Sequence, residues 1–492
     1  MSQEQFDQIG NLLKVNSQKR SGKVRIESDV LEPQQSSQSY ATFNLRKAGI
    51  LSNDSRLVLP LYTDNADTRL TMYGGAYGIL KNATLRDSSG VVIAQTTDVN
   101  YLASIRNHWQ SQEQRLKVGK YKNGTYNCWE YGGSHANAFT GKFKVTDMDA
   151  LGSGDYDQKE RHRLGTTTAD RVEYVISFRE LFPELFPTSL PLFALDGNVQ
   201  LFLEFSEQGP TGEVAVDSFG VNNQIGNVLI DLANLKFISD HVFLEDDAMR
   251  QIYDLTKTST GLVIPYADYN QITFTHTAPA QPSANNKTDV TFTNSIGMSG
   301  LRVKHLLIHN SEAKADATPT EGQKIAGKYA SFDSYAGVNG QKLNVQVNNE
   351  NYYTQDLPTQ EWYREVEDVY GVPMQEPYPV YTTIQSVADA TKGDGSTAYT
   401  ILNRGLLSTD TIYDSSQTLL TGSACVAGVN FCNPLNRINN GSNGIMVSNA
   451  PVQLSYTHSF TNTMNTNILQ RVFVCVERVL SIKDGQVRNN YS

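Results

Sequence analysis

The side chains best placed to do chemistry in this 492-residue chain are two histidines. His305 and His309 stand four residues apart, the spacing that binds zinc from one face of a helix. They fall in Leu301–His309 (LRVKHLLIH), a run with strand character. Extended backbone sets such a pair about 13 Å apart, so they cannot share a metal there. A facial iron triad needs His-x-Asp/Glu. The eight histidines are followed two residues later by Gln110, Asn137, Leu164, Phe243, Ala278, Leu307, Ser311 and Phe460, none of them acidic. Gly152-Ser153-Gly154-Asp155-Tyr156-Asp157 has the composition of a cation loop and reads more simply as a Gly/Asp turn. There is no Gly-x-x-x-x-Gly-Lys-Ser/Thr phosphate loop and no Gly-x-Ser-x-Gly nucleophile elbow. Acids abound, yet nothing in their order sets two across a cleft as glycoside hydrolysis requires. The expectation is a protein without catalytic, cofactor-binding or metal-binding residues.

Composition agrees with that expectation. Cys128, Cys425, Cys432 and Cys475 are widely spaced with no Cys-x-x-Cys, so free structural thiols are expected, as in a reducing compartment. A net charge of −10 argues against a surface built mainly to bind nucleic acid. No run approaches the roughly 20 apolar residues of a membrane span. The opening residues MSQEQFDQIG have neither the basic nor the apolar region of a secretory signal. Plentiful Gly, Asn, Thr, Ser and Tyr suit short strands joined by long polar loops.

The elements that would position these residues are organised around Asn227–Thr275. Apolar residues ending in Lys236–Leu244 read as a strand. Glu245, Asp246 and Asp247 favour a helix N-terminus, and Met249, Ile252, Tyr253 and Thr256 recur at helical spacing. Strand character returns at Leu262–Tyr266 and again at Gln271–Thr275. This is a connector between two β halves. An internal echo supports duplication: Val199–Ser206 (VQLFLEFS) against Val452–Ser459 (VQLSYTHS). Each is followed by acid-base-Val-apolar, Asp240-His241-Val242-Phe243 and Glu477-Arg478-Val479-Leu480.

Elsewhere, strands are expected at Ala41–Leu45, Arg56–Tyr62, Leu80–Leu85, Gly90–Ala94, Arg171–Phe178, Val199–Phe205, Leu301–His309, Lys342–Val347, Val452–His458 and Ile468–Ile482. Leu102, Ile105 and Trp109 predict one helix. Trp362, Val366, Val369 and Tyr370 predict another over Thr359–Tyr370, ended by Gly371. The Phe-Pro cluster 182–187 allows a turn of helix, with rings plugging the end of a sandwich. Residues 95–168, 310–335 and 383–450 are long polar excursions. Residues 1–28 carry Lys14, Lys19, Arg20, Lys23 and Arg25 and read either as a solvated terminus or as an arm that docks on a neighbour or an anionic surface.

Two β halves, the helical seam, the Phe-Pro cluster and the closing strands 227–244 and 468–482 resemble the double jelly-roll major capsid proteins of icosahedral double-stranded DNA viruses. The length and Leu59-Pro60-Leu61-Tyr62 look closest to those of virophages and polinton-like viruses. The resemblance covers about 35–485 and rests on architecture. It implies an all-β fold of two tandem eight-stranded jelly rolls with short helices and long loops. The expected organisation is an N-terminal arm at 1–28, a first jelly roll at 29–244, a helical connector at 245–261 and a second jelly roll at 262–492. The implied function is a structural subunit of the virion capsid, assembled in the host cytoplasm or a virus factory as a pseudo-hexagonal homotrimer. The implied partners are neighbouring trimers, penton and minor capsid proteins, and an internal membrane or the genome met by the arm. A rival from another class is a two-domain β-sandwich carbohydrate-binding or glycan-active protein, with Trp109, Trp129 and Trp362 in loops that could stack on sugars.

Overall fold

Alternating apolar residues build the sheets. In Val199–Phe205 the residues Val199, Leu201, Leu203 and Phe205 are buried, while Gln200, Phe202 and Glu204 are half-buried. Such a strand has one face for a core and one for the outside. The computed structural model describes residues 24–64, 68–70, 74–108, 122–124, 142–144, 164–182, 190–206, 215–217, 227–279, 288–312, 342–370, 381–388, 397–402, 421–423, 426–432, 444–448, 450–460 and 467–491.

The principal strands of the first half are β1 (Arg25–Leu31), β2 (Tyr40–Leu45), β3 (Arg56–Thr63), β4 (Leu80–Arg86), β5 (Val92–Thr97), β6 (Val172–Ser177), β7 (Val199–Phe205) and β8 (Lys236–Phe243). Those of the second half are β9 (Leu262–His276), β10 (Thr288–Ile296), β11 (Arg302–Glu312), β12 (Lys342–Val347), the short β13 (Glu350–Asn351), β14 (Val426–Asn430), β15 (Val452–Phe460) and β16 (Ile468–Lys483). The first half forms sheets of order β1-β8-β3-β6 and β2-β7-β4-β5. The second forms β9-β16-β11-β14 and β10-β15-β12-β13. Adding eight to every number of the first pair of sheets gives the second. Each half is therefore the same antiparallel Greek-key sandwich, a jelly roll. The echoed residues occupy matching places: Val199–Ser206 and Val452–Ser459 run through β7 and β15, and Asp240 and Glu477 lie in β8 and β16. The chain has the double jelly-roll fold.

The helices are α1 (Val99–His108), the one-turn α2 (Phe178–Leu181), α3 (Asp246–Thr256) and α4 (Thr359–Tyr370). α1 follows β5 and α4 follows β13, so these two also correspond. Helix α3 forms where the spacing predicts a helix, begun at Glu245 with Asp246 and Asp247 in its first turn. Ile252 and Thr256 are buried as the spacing predicts, but Tyr253 is 43% exposed. Its ring faces outward, beneath the Lys257 ammonium at 5.2 Å. The two strands expected at 262–266 and 271–275 are one continuous β9. Pro265 does not break it, because β9 lies at the edge of its sheet and Pro265 is exposed. The expected arm 1–28 ends inside a sheet, since Arg25–Leu31 pairs with Phe243–Phe237 of β8. Its residues 1–23 lie outside the described residues, as do Gly152–Asp157, Cys128, Cys425 and the Pro183–Pro187 part of the Phe-Pro cluster. Parts of two excursions form strands: Lys142–Lys144 pairs with Thr397–Leu402, in a sheet completed by Tyr381–Ala388 and Thr421–Ser423.

The first core centres on aromatic rings. Phe237 meets Phe43 and Phe178 at centroid distances of 5.9 Å each, and Phe178 meets Phe182 at 5.1 Å. The second core is mainly aliphatic, built on Val303, Leu306, Ile308, Leu343, Val345, Leu454, Val472 and Val474 around Tyr456. The cores are not divided at the seam. Leu262, Ile264 and Tyr266 of β9, Leu480 and Ile482 of β16, and Val487 of a final strand, Gln486–Tyr491, all join the first core. A tight turn at Asp484 (φ +49°) and Gly485 (φ +80°) folds that last strand back, and the Asp196 N–H donates to the Gly485 carbonyl at 2.9 Å. A Cβ on Gly485 would meet only the carboxylate end of the Asp196 side chain, so it is the positive φ that favours glycine there. Replacing Phe237 by Ala empties the centre of the ring cluster. The expected loss is about 3–5 kcal/mol of unfolding free energy, read by urea titration.

Candidate functional site: the junction between the halves

The residues that distinguish this chain chemically are charges placed where strands are otherwise apolar. Asp268 in β9 and Arg471 and Arg478 in β16 are such residues, and all three lie where the halves meet. Strands β5 and β9 run side by side. The Tyr266 hydroxyl donates to the Ile93 carbonyl at 2.9 Å, and the Asp268 carboxylate accepts the Gln95 N–H. Arg478 Nε lies 3.7 Å from Asp268 Oδ2, and its Nη2 donates to Asn270 Oδ1 at 2.7 Å. Burial pushes the Asp268 carboxyl up to about 6, against the opposing pull of Arg478 and two backbone N–H groups.

Helix α1 reaches over the second half. Asp98, just before it, adopts φ +50° and donates its N–H to Asn82 Oδ1. Its carboxylate pairs with Arg471 at 3.4 Å. The Arg471 guanidinium lies 3.6 Å from the centroid of the Tyr101 ring, a desolvated cation–π contact. Tyr101 meets His309 edge-on at 5.0 Å. His305 is held elsewhere, its Nε2 2.7 Å from the Tyr269 hydroxyl. The two histidines share a face of β11 but serve separate contacts. Around these groups Tyr101, Leu102, Ile105, Tyr269, Leu307, Val366, Phe473 and Cys475 form one buried cluster. Val366 comes from α4, which lies over β14 at Gly428. A Cβ there would stand 2.5 Å from Val366 Cγ2, so glycine lets the helix sit against the sheet. Helices α1 and α4 together roof the outer face of β9-β16-β11-β14.

Arg106 ties the roof together. It lies 5.4 Å from the Tyr77 ring, and although burial opposes its charge, the fields of Tyr77, Glu180, Tyr370 and Tyr269 favour it. Glu180 is likewise opposed by burial but held below the usual carboxylate range by Arg106, Lys122 and the Ser177 N–H.

The matching face of the first half has the same frame, and no helix among the described residues covers it at Val30 and Ile26. Arg56 pairs with Asp240 at 3.1 Å as Arg302 pairs with Glu477 at 3.3 Å, so the ion pair is duplicated with the fold. Aligning Asp240 with Glu477 through the strand registers sets Val30 where Tyr269 stands. Tyr269 is 4% exposed, whereas Val30 is 60% exposed and Ile26, on the same face, 43%. Val58, Val175 and Ile238 continue this half-buried apolar surface around Asp240.

Among the described residues no cluster of three His, Cys, Asp or Glu could hold a metal. Neither Cys432 nor Cys475 is in a disulfide, and Cys475 is buried. Trp109 and Trp129 lie outside the described residues, and Trp362 belongs to α4.

No protein-family model matches the chain, and no curated protein matches it. Solved structures do. A quasi-atomic model of the PBCV-1 virus capsid is 13% identical with a TM-score of 0.55, over 96% of this chain and 98% of the other. A chain of the Sputnik virophage structure is 9% identical with a TM-score of 0.55, over 96% and 89%. The Faustovirus major capsid protein is 10% identical with a TM-score of 0.51, over 95% and 92%. The fold is thus shared along nearly the whole of each chain.

Arg471→Met leaves Asp98 facing an apolar side chain across the junction. A loss of about 3 kcal/mol is expected in chemical denaturation. Asp268 adds a pH signature. Its folded value lies above the unfolded 3.8, so its contribution is present at low pH and lost as pH rises through about 6. Subtracting the stability of Asp268→Asn from that of the wild type should give a difference that grows by up to roughly 3 kcal/mol from pH 7 to pH 4.

Proposed function

We propose that the chain is a structural subunit of a viral icosahedral capsid, working as a pseudo-hexagonal homotrimer that tiles the shell. The observation that carries this reading is the unroofed face at Val30 and Ile26 beside the roofed one at Tyr269. Within the chain, β5 and α1 of the first half cover the β9 side of the second. That leaves two complementary surfaces: the β13 and α4 side of the second half, and the β1 side of the first. A second copy joined through these would repeat the internal contact between molecules. Such a head-to-tail contact makes a ring when its rotation closes. Six like sandwiches around one axis need three chains. The proteins sharing its fold include capsid proteins, which supports the same use here.

On this reading the arm is shortened to the residues before Arg25, the first jelly roll runs over 25–244 where 29–244 was expected, and the connector 245–261 joins it to the second at 262–492. Contacts with neighbouring trimers, penton and minor capsid proteins, and a membrane or genome through that arm belong to the same proposal, as do a place in the virion shell and assembly in the host cytoplasm or a virus factory. The work is done by shape, so no enzyme activity is expected.

Light scattering on the purified protein should give the mass of three copies of the 54.5 kDa chain. Val30→Asp, which puts a charge on the exposed face, should give monomers with unchanged circular dichroism. A wild-type monomer, or a Val30→Asp trimer of wild-type stability, would overturn the reading.

A further inference from the structure

One end of the second sandwich carries a linked set of polar side chains between its sheets. Between its two sheets, where a jelly roll packs apolar side chains, lie His276 of β9, Asn294 of β10, Asn310 of β11, His458 of β15 and Gln470 of β16, every one of them half-buried or buried. They form a connected cage. His276 Nε2 is 3.4 Å from Gln470 Oε1 and 3.3 Å from Asn294 Nδ2. Asn294 Nδ2 donates to Gln470 Oε1 at 2.9 Å, and Gln470 Nε2 donates to Asn310 Oδ1 at 3.0 Å. The Asn310 Nδ2 donor is buried with no acceptor. The His276 ring stacks on Phe292 at 4.2 Å and lies 6.1 Å from Tyr456, whose hydroxyl is 3.2 Å from His458 Nδ1.

The internal duplication supplies a control. By the echo of β7 and β15, His458 occupies the place of Phe205, and both are almost fully buried at 3% and 4% exposure. The same position in the same fold is therefore served by a ring that cannot take a proton in one half and by one that can in the other. Facing the two histidines are the amides of Asn294 and Gln470, the rings of Phe292 and Tyr456, and each other; the Asp289 carboxylate, on the exposed side of β10, reaches His458 only through its field. Burial and then His276 drive His458 down to about 4, with Asp289 offsetting part of this. Burial also lowers His276, against its contact with Gln470.

We propose that His276 and His458 form an acid-sensitive latch closing this end of the second jelly roll: neutral rings hold the β9, β15 and β16 ends together, and protonation parts them. The proposal concerns the isolated chain and stands apart from the capsid reading. The sign follows from linkage. Depressed histidines bind more protons in the opened state, so the closed state loses stability as pH falls from about 6.5 toward 4.

Hydrogen exchange of the full-length protein, corrected for intrinsic rates, tests this between pH 7 and pH 5. The opening constant of residues 452–460 and 270–279 should rise tenfold or more, roughly the effect of one histidine with these two values. Residues 199–206, which include Phe205, should stay within about twofold. His458→Phe should flatten the response of 452–460, and His276→Gln should reduce it. An equal rise in 199–206, no rise in the second half, or an undiminished response in the variants would each overturn the latch. Should His458→Phe fail to fold, the wild-type comparison and His276→Gln decide alone.

Discussion

The constraint on which the structure turns is that a sheet with apolar residues on both faces must be covered twice. In β16 the run Val472–Val476 is buried without alternation. Val472, Val474 and Val476 face the second core, while Phe473 and Cys475 face the junction cluster. No single sandwich can satisfy both sides. Helix α1 supplies the second cover from the other half, and the ion pair of Asp98 with Arg471 orients it where an apolar contact alone would let it slide. The halves are thus bound as the layers of one core are bound, by complementary burial and by charges that fix the register.

Duplication explains how such a contact arises and why it is incomplete in one chain. The strand orders repeat with an offset of eight, and so do the Arg-acid pairs at Arg56–Asp240 and Arg302–Glu477. Two like units joined in tandem make one internal contact and leave its two complementary sides unused. The face at Ile26 and Val30 is one of them. Divergence has then worked on individual positions. Phe205 and His458, or Val30 and Tyr269, share a place in the fold and differ in chemistry.

Much of this was legible from residue order, and the failures have a common cause. Strands with one wet face, such as Val199–Phe205 and Lys342–Val347, announced themselves by alternation to the residue. The helix Thr359–Tyr370 did so by its spacing. The reading went astray where the outward side of an element meets protein instead of water. Strand character was read at 262–266 and 271–275, on either side of Asp268, where the strand is continuous; the carboxylate in its middle is received by Arg478 and the other half. Tyr253 was expected inside by its spacing with Met249, Ile252 and Thr256, but its ring stands outside under Lys257. The junction itself left only one trace in the sequence, isolated charges within long apolar strands. Their partners are hundreds of residues away, so pattern alone could not join them.

The tight turn at Asp484 and Gly485 has a consequence for synthesis of the chain. It returns Val487 to the same core as Phe43 and Phe237, alongside Leu480 and Ile482. The first half therefore leaves the ribosome with part of its interior still untranslated. At about 5–20 residues per second, the missing strands arrive tens of seconds later. Until then the nascent first half has an open flank where Leu480, Ile482 and Val487 will pack.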